Sequence, residues 1–161
     1  MKTNTRFILL TCLLLCFYAC DRKPYPQSLI IADSLASIQP DSAITLLKTL
    51  EDNIKTESES TQMYYRLLCI KANDKAYIRH TSDSLILPIL HYYIKKEDEK
   101  HLPEAYYYAG RVYRDLGDAP QALDYFEKSL ETLPKNKKHK LKSYIYSQMG
   151  TLFLYQGLYN E

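Results

Sequence analysis

The chain has 161 residues, with 21 basic and 19 acidic side chains, sixteen Tyr, four Phe, no Trp, four Gly and four Cys. Lys2 and Arg6 account for the positive excess; setting them aside leaves nineteen basic against nineteen acidic residues, which gives no reason to expect nucleic-acid binding. The histidines His80, His91, His101 and His139 lack metal-ligand spacing, and no nucleophile elbow, phosphate loop or dinucleotide glycine set is present, so neither catalysis, a metal nor a cofactor is expected.

Residues 1–19 read as an export signal. Lys2 and Arg6 form a positive start, and an apolar run over residues 7–15 is interrupted only by Thr11 and Cys12. Such a run is too short to span a bilayer and has signal-peptide proportions. It closes on Phe17-Tyr18-Ala19-Cys20, which resembles a bacterial lipoprotein signal, although Phe17 and Tyr18 are bulkier than the residues usual there. The resemblance implies that Cys20 is the lipid-attachment residue and begins the mature chain. Residues 20–26 then make a short tether, and the protein is held, extracytoplasmic, in a bacterial cell envelope (periplasm or cell surface). An ordinary cleaved signal peptide is the alternative. On the lipid reading only Cys69 stays in the folded part, where its apolar neighbours Leu68 and Ala72 make it a small core residue.

The rest of the chain reads as helices throughout. Segments 29–38 and 41–53 pair across Gln39-Pro40, with Ala43, Leu47 and Leu50 on one face. Tyr65, Leu68, Cys69 and Ala72 have the 3-4 spacing of a third helix. A linker over 77–83 leads to a fourth at 84–95, with Leu87, Leu90 and Ile94 as its apolar face and Pro88 near its first turn. The fullest pattern follows: Tyr106, Ala109, Gly110 and Tyr113 on one helix, Gly117 at a turn, Asp118 and Pro120 as a helix start, then Ala122, Phe126 and Leu130, and finally Pro134 as a stop.

Laid end to end, this resembles the tetratricopeptide repeat over residues 103–136. The resemblance implies an all-α, right-handed solenoid of helical hairpins. In it Gly110 lets helix A approach helix B, Ala122 offers the matching small surface, and Tyr106, Tyr113 and Phe126 fill the core beside it. With the weaker upstream copies, residues 27–161 make about three and a half repeats, over 27–60, 61–101, 102–140 and a partial 141–161. Gly150 and Gly157 restate Gly110 and Gly117 forty residues later, with Tyr146, Met149 and Phe153 around them. A repeat does not bury its apolar face alone, so this last helix belongs to a shortened array or docks another chain.

A different face of the complete repeat carries Glu104, Tyr107, Arg111, Arg114 and Asp115, continued in the next by Tyr144, Ser147, Thr151, Leu154 and Tyr155. In the tetratricopeptide family this face lines the concave groove. Glu104, Tyr107, Arg111, Arg114, Tyr144 and Tyr155 are therefore the expected partner-binding residues, with an acidic group meeting Arg111 and Arg114; packing of these Tyr against neighbouring helices is the alternative. Lys135, Lys137, Lys138, His139, Lys140 and Lys142 form a basic segment between repeats, either solvated or in contact with headgroups or an acidic partner. The expected function is a non-catalytic protein- or peptide-binding module on a lipid anchor. The alternative is the extracytoplasmic N-terminal part of a membrane-spanning sensor or transcriptional regulator.

Overall fold

A computed structural model describes residues 24–134 and 140–155. These residues form seven helices and no strand: α1 (Gln27–Ile38), α2 (Pro40–Ile54), α3 (Glu59–Lys75), α4 (Ile86–Lys95), α5 (Leu102–Leu116), α6 (Ala119–Thr132) and α7 (Lys140–Tyr155). Their ends follow from local chemistry. Ser58 caps α3 by accepting from the Thr61 N–H, and Asp118 caps α6 by accepting from the Gln121 N–H at 3.0 Å. Pro40, Pro103 and Pro120 occupy first turns, where a missing N–H leaves nothing unpaired. Gly117 ends α5 in the left-handed conformation, at φ 87°, so the chain reverses without a Cβ penalty. Leu133 is extended, at φ −71° and ψ 142°, the conformation a residue before proline favours, and α6 stops there.

Each helix packs on the next, and in addition α1 packs on α3, α3 on α5, and α5 on α7. No such packing joins α2 to α4 or α4 to α6. The odd-numbered helices thus form one continuous layer and the even-numbered ones stand apart, so the array curves toward the odd layer. This is an all-α solenoid of helical hairpins. α3 divides the interior: Tyr64, Leu68 and Ala72 face the core shared with α1 and α2, while Leu67 and Ile70 face the larger core that runs on to α7.

Two local readings need correction. The fourth helix starts at Ile86, not 84, and buries Ile86, Ile89, Leu90 and Tyr93 while Leu87 and Ile94 are exposed. The long linker sets this rotation, because it is stapled to the far end of α5. Arg79 Nε and Nη2 donate to the Asp115 carbonyl at 2.8 and 2.6 Å, the His80 N–H donates to Asp115 Oδ2, and Tyr113 Oη donates to Asp83 Oδ2 at 2.7 Å. The last bond, with burial and the Asp83 charge, pushes the Tyr113 phenol up to about 12.

The second correction concerns Gly110. A Cβ there would run into the Phe126 ring, reaching Cζ at 2.9 Å, so the ring itself rather than Ala122 occupies the space that the glycine leaves. Cys69 is a half-buried thiol whose pKa burial pushes up to about 11, which suits a packing role.

Candidate functional site

The concave layer is held by charge as well as by apolar packing. Lys71 Nζ, on α3, donates to Asp33 Oδ1 of α1 at 2.6 Å and to Glu104 Oε1 of α5 at 2.8 Å, joining three successive odd helices through one ammonium. Burial would lower the Lys71 pKa, but the two carboxylates more than offset it and hold the amine charged. Tyr64 Oη donates to the second Asp33 oxygen at 2.9 Å. Beside this ladder lies a cavity of about 510 Å³, walled by Tyr107, Tyr108, Tyr144, Pro103, Leu141 and Pro134 and rimmed by Lys75, Glu99, Lys100 and Lys140.

The expected groove residues divide between surface and interior. Glu104 and Tyr107 line this cavity together with Tyr144, but Tyr107 is only 2% exposed, so its ring is a wall of the solenoid, not a projecting contact. The more exposed of the adjacent pair is Tyr106, which was expected in the core; it is half-buried and stacks on Tyr125 at 6.3 Å. Arg111 is also drawn inward. Its Nη1 donates to Tyr107 Oη at 3.1 Å, and its Nη2 lies 2.7 Å from Asp74 Oδ1, off the line of a hydrogen bond.

Asp74 is the reason. Its side chain is 1% exposed, and neither of its oxygens has a hydrogen-bond partner among the described residues. Burial pushes its carboxyl up, against the charges of Arg111, Arg114, Lys75 and His80. A buried carboxylate needs a cation, and Arg111 serves it. Arg114 is committed likewise, to Asp115 Oδ1 at 2.6 Å and to Gln148 Oε1 of α7 at 2.6 Å. The expectation that Arg111 and Arg114 wait for an acidic ligand is thus corrected, because both already have partners within the fold.

Arg114 and Tyr155 border a second cavity of about 580 Å³ with Arg79, Asp115 and Leu152. Tyr155 is 83% exposed and Tyr144 38%. Gly150 lies on the open side of α7, and a Cβ there would meet nothing within 4 Å. Cys20 and Gly157 lie outside the described residues.

One cluster is not among the residues expected from the sequence. Tyr25, expected in the tether, stacks on Tyr64 with centroids 4.3 Å apart and meets His101 edge-on at 5.6 Å; its hydroxyl lies 3.3 Å from Ser60 Oγ. His101 also stacks on Tyr93 at 5.3 Å, and its Nδ1 lies 3.1 Å from Asp98 Oδ2. Burial works against the Asp98 charge, but the hydrogen bond and charge of His101 and the N–H groups of His101 and Lys100 outweigh it and lower the carboxyl pKa. The available signal was Tyr25 between two prolines, where a stiff backbone presents a ring at little entropic cost. Asp74 carried a fainter one, a lone acid within the core-facing span of a helix.

Residues 103–136 match the tetratricopeptide repeat family, as found by comparison with family profiles. No curated protein and no solved structure matches the chain. A repeat of this kind points to a protein-interaction module, and among the described residues no group of three or more His, Cys, Asp or Glu is placed to hold a metal ion.

Proposed function

We propose that the protein is a non-catalytic interaction module whose odd-helix face receives a protein or peptide partner, held to a bacterial membrane through a lipid on Cys20. The observation that carries the binding part is the concave cavity. It is built from four successive odd helices and the intervening turns, and it joins aromatic and proline walls to charged groups on its rim. Of its aromatic walls Tyr144 is the exposed one, at 38%, and a ring of this kind gives contact area with few rotors to freeze.

The anchoring part rests on the lipoprotein-like run that ends in Ala19-Cys20. A lipid on Cys20 lies at most about 18 Å of extended chain from Tyr25, so the solenoid would sit close to the membrane surface. Among the described residues no helix is long and apolar enough to cross a membrane.

A photo-crosslinker at Glu99 or Tyr144 tests the first part, with exposed Glu127 on α6 as control. Protein adducts from the concave positions alone support the reading, and equal labelling from α6 opposes it. Intact mass with a Cys20→Ser control tests the second. Acyl mass on a chain beginning at Cys20, lost in the variant, supports the anchor, whereas cleavage elsewhere without lipid removes it.

The open side of α7, with Gly150, Tyr146 and Phe153 exposed, favours a second reading in which these hairpins are the first part of a longer extracytoplasmic array belonging to a membrane-spanning sensor or regulator. A longer reading frame carrying further repeats and an apolar run of about twenty residues is the observation that decides for it.

A further inference from the structure

The lysines around the concave cavity are of two kinds. Lys71 is satisfied twice, by Asp33 and Glu104. Lys75, Lys100 and Lys140 form no ion pair among the described residues. Two of them share one aromatic ring: Lys75 Nζ, from α3, lies 4.7 Å from the Tyr144 centroid, and Lys140 Nζ lies 5.6 Å from it. These distances keep the two charges within roughly a Debye length, about 8–10 Å, of each other. The Lys140 hydrogen bond and the charges of both lysines pull the Tyr144 phenol below its usual range.

Lys100 stands on the same rim, its ammonium 5.8 Å from the Tyr25 ring. The acids on the cavity are Glu99 and Glu104, and Lys71 already engages Glu104. In a chain balanced in charge beyond its first residues, three lysines without an ion pair among the described residues thus stand around an aromatic recess between four odd helices.

We propose that this cavity takes an acidic peptide segment, with carboxylates received by Lys75 and Lys140 beside the Tyr144 ring and apolar side chains laid against Pro134 and Leu141. The proposal rests on the interaction-module reading and adds the partner's charge and its contact residues. Like charges held close together raise the free energy of the empty site, and a bound carboxylate relieves that repulsion. The apolar walls favour a peptide over a free inorganic anion, which would leave them uncovered. The recess favours it over a bilayer, because a flat headgroup plane would cover the lysines without filling the space of about 510 Å³ between the helices.

The test is fluorescence anisotropy with the full chain in detergent solution and a short labelled peptide of alternating Glu and Leu. The matching Gln–Leu peptide serves as neutral control. Lys75→Glu and Lys140→Glu are compared with Lys48→Glu, which places the same charge change on exposed α2, and the milder Lys75→Gln covers any loss of folding. The acidic peptide is expected to bind, to weaken between about 0.05 and 0.5 M salt, and to lose about tenfold in affinity with either concave reversal but less than twofold with Lys48→Glu.

Equal binding of the Gln–Leu peptide overturns the acidic partner while leaving a peptide-binding module in place. Equal loss in Lys48→Glu overturns the site. Failure of both peptides to bind folded protein overturns the proposal, and the module reading is then judged by its crosslinking test. Lys75-dependent binding to anionic vesicles without peptide binding reassigns the lysines to headgroups.

Discussion

Two glycines forty residues apart occupy the same place in the pattern and meet opposite surroundings. Gly110 on α5 is buried under the Phe126 ring, so close that a methyl group would collide with it. Gly150 on α7 faces open space, with Phe153 41% exposed beside it. The glycine permits a close helix approach, but the opposing helix creates it. A repeat signature therefore records where a partner helix would fit and leaves open whether the space is filled.

The largest effect that sharpens this contrast belongs to the filled hairpin. Phe126→Ala empties a fully buried site and is expected to cost about 3–5 kcal/mol, against about 0.5 kcal/mol or less for Phe153→Ala, in urea unfolding of the two variants. Comparable losses for both would show that the α7 face is covered after all. Arg111→Met comes next. It strands the Asp74 carboxylate and is expected to cost about 3 kcal/mol or more, with partial recovery in the Arg111→Met/Asp74→Asn double variant. Absence of that recovery would mean that Arg111 matters for packing, not for charge.

The glycines themselves come third. Gly110→Ala should destabilise by about 1–3 kcal/mol through overpacking. Gly150→Ala should stabilise by about 0.5–1 kcal/mol through helix propensity. Thermal melts of the pair read the difference directly, and a shift of the same sign in both breaks the comparison.

The smallest effect is in pH. Burial, outweighing the neighbouring Asp115 and Asp74 charges, lowers the His80 pKa, so the folded state binds its proton less readily than the unfolded state does. Stability should decline as pH falls from about 6.5 through the lowered value. It should decline again in stronger acid, where the depressed Asp98 and Asp115 carboxylates protonate. His80→Asn should flatten the first decline only, as followed by melting temperature between neutral and mildly acidic pH.

What was legible in the sequence is what depends on one helix or one turn. The cap at Asp118, the left-handed Gly117 and the stop before Pro134 are local, and the structure holds all three. The hairpin pattern around Ala122 and Phe126 was legible because close helix packing demands particular sizes at fixed spacing. The site was only half legible. A helical wheel places Tyr107 and Arg111 on the concave face, but not how tightly α3 presses on it, and that depends on Asp74 thirty-seven residues away. The rotation of α4 was hidden for a related reason, since it is set by Arg79, His80 and Asp83 reaching across to the end of α5.

The docking of Tyr25 has a mechanical consequence. Its ring is wedged between Tyr64 of α3 and His101 at the head of α5, ahead of the first helix. Tension on the chain before residue 24 would load this joint in shear and pass straight into the middle of the array. α1 would be spared, where a free leader would have peeled it off turn by turn.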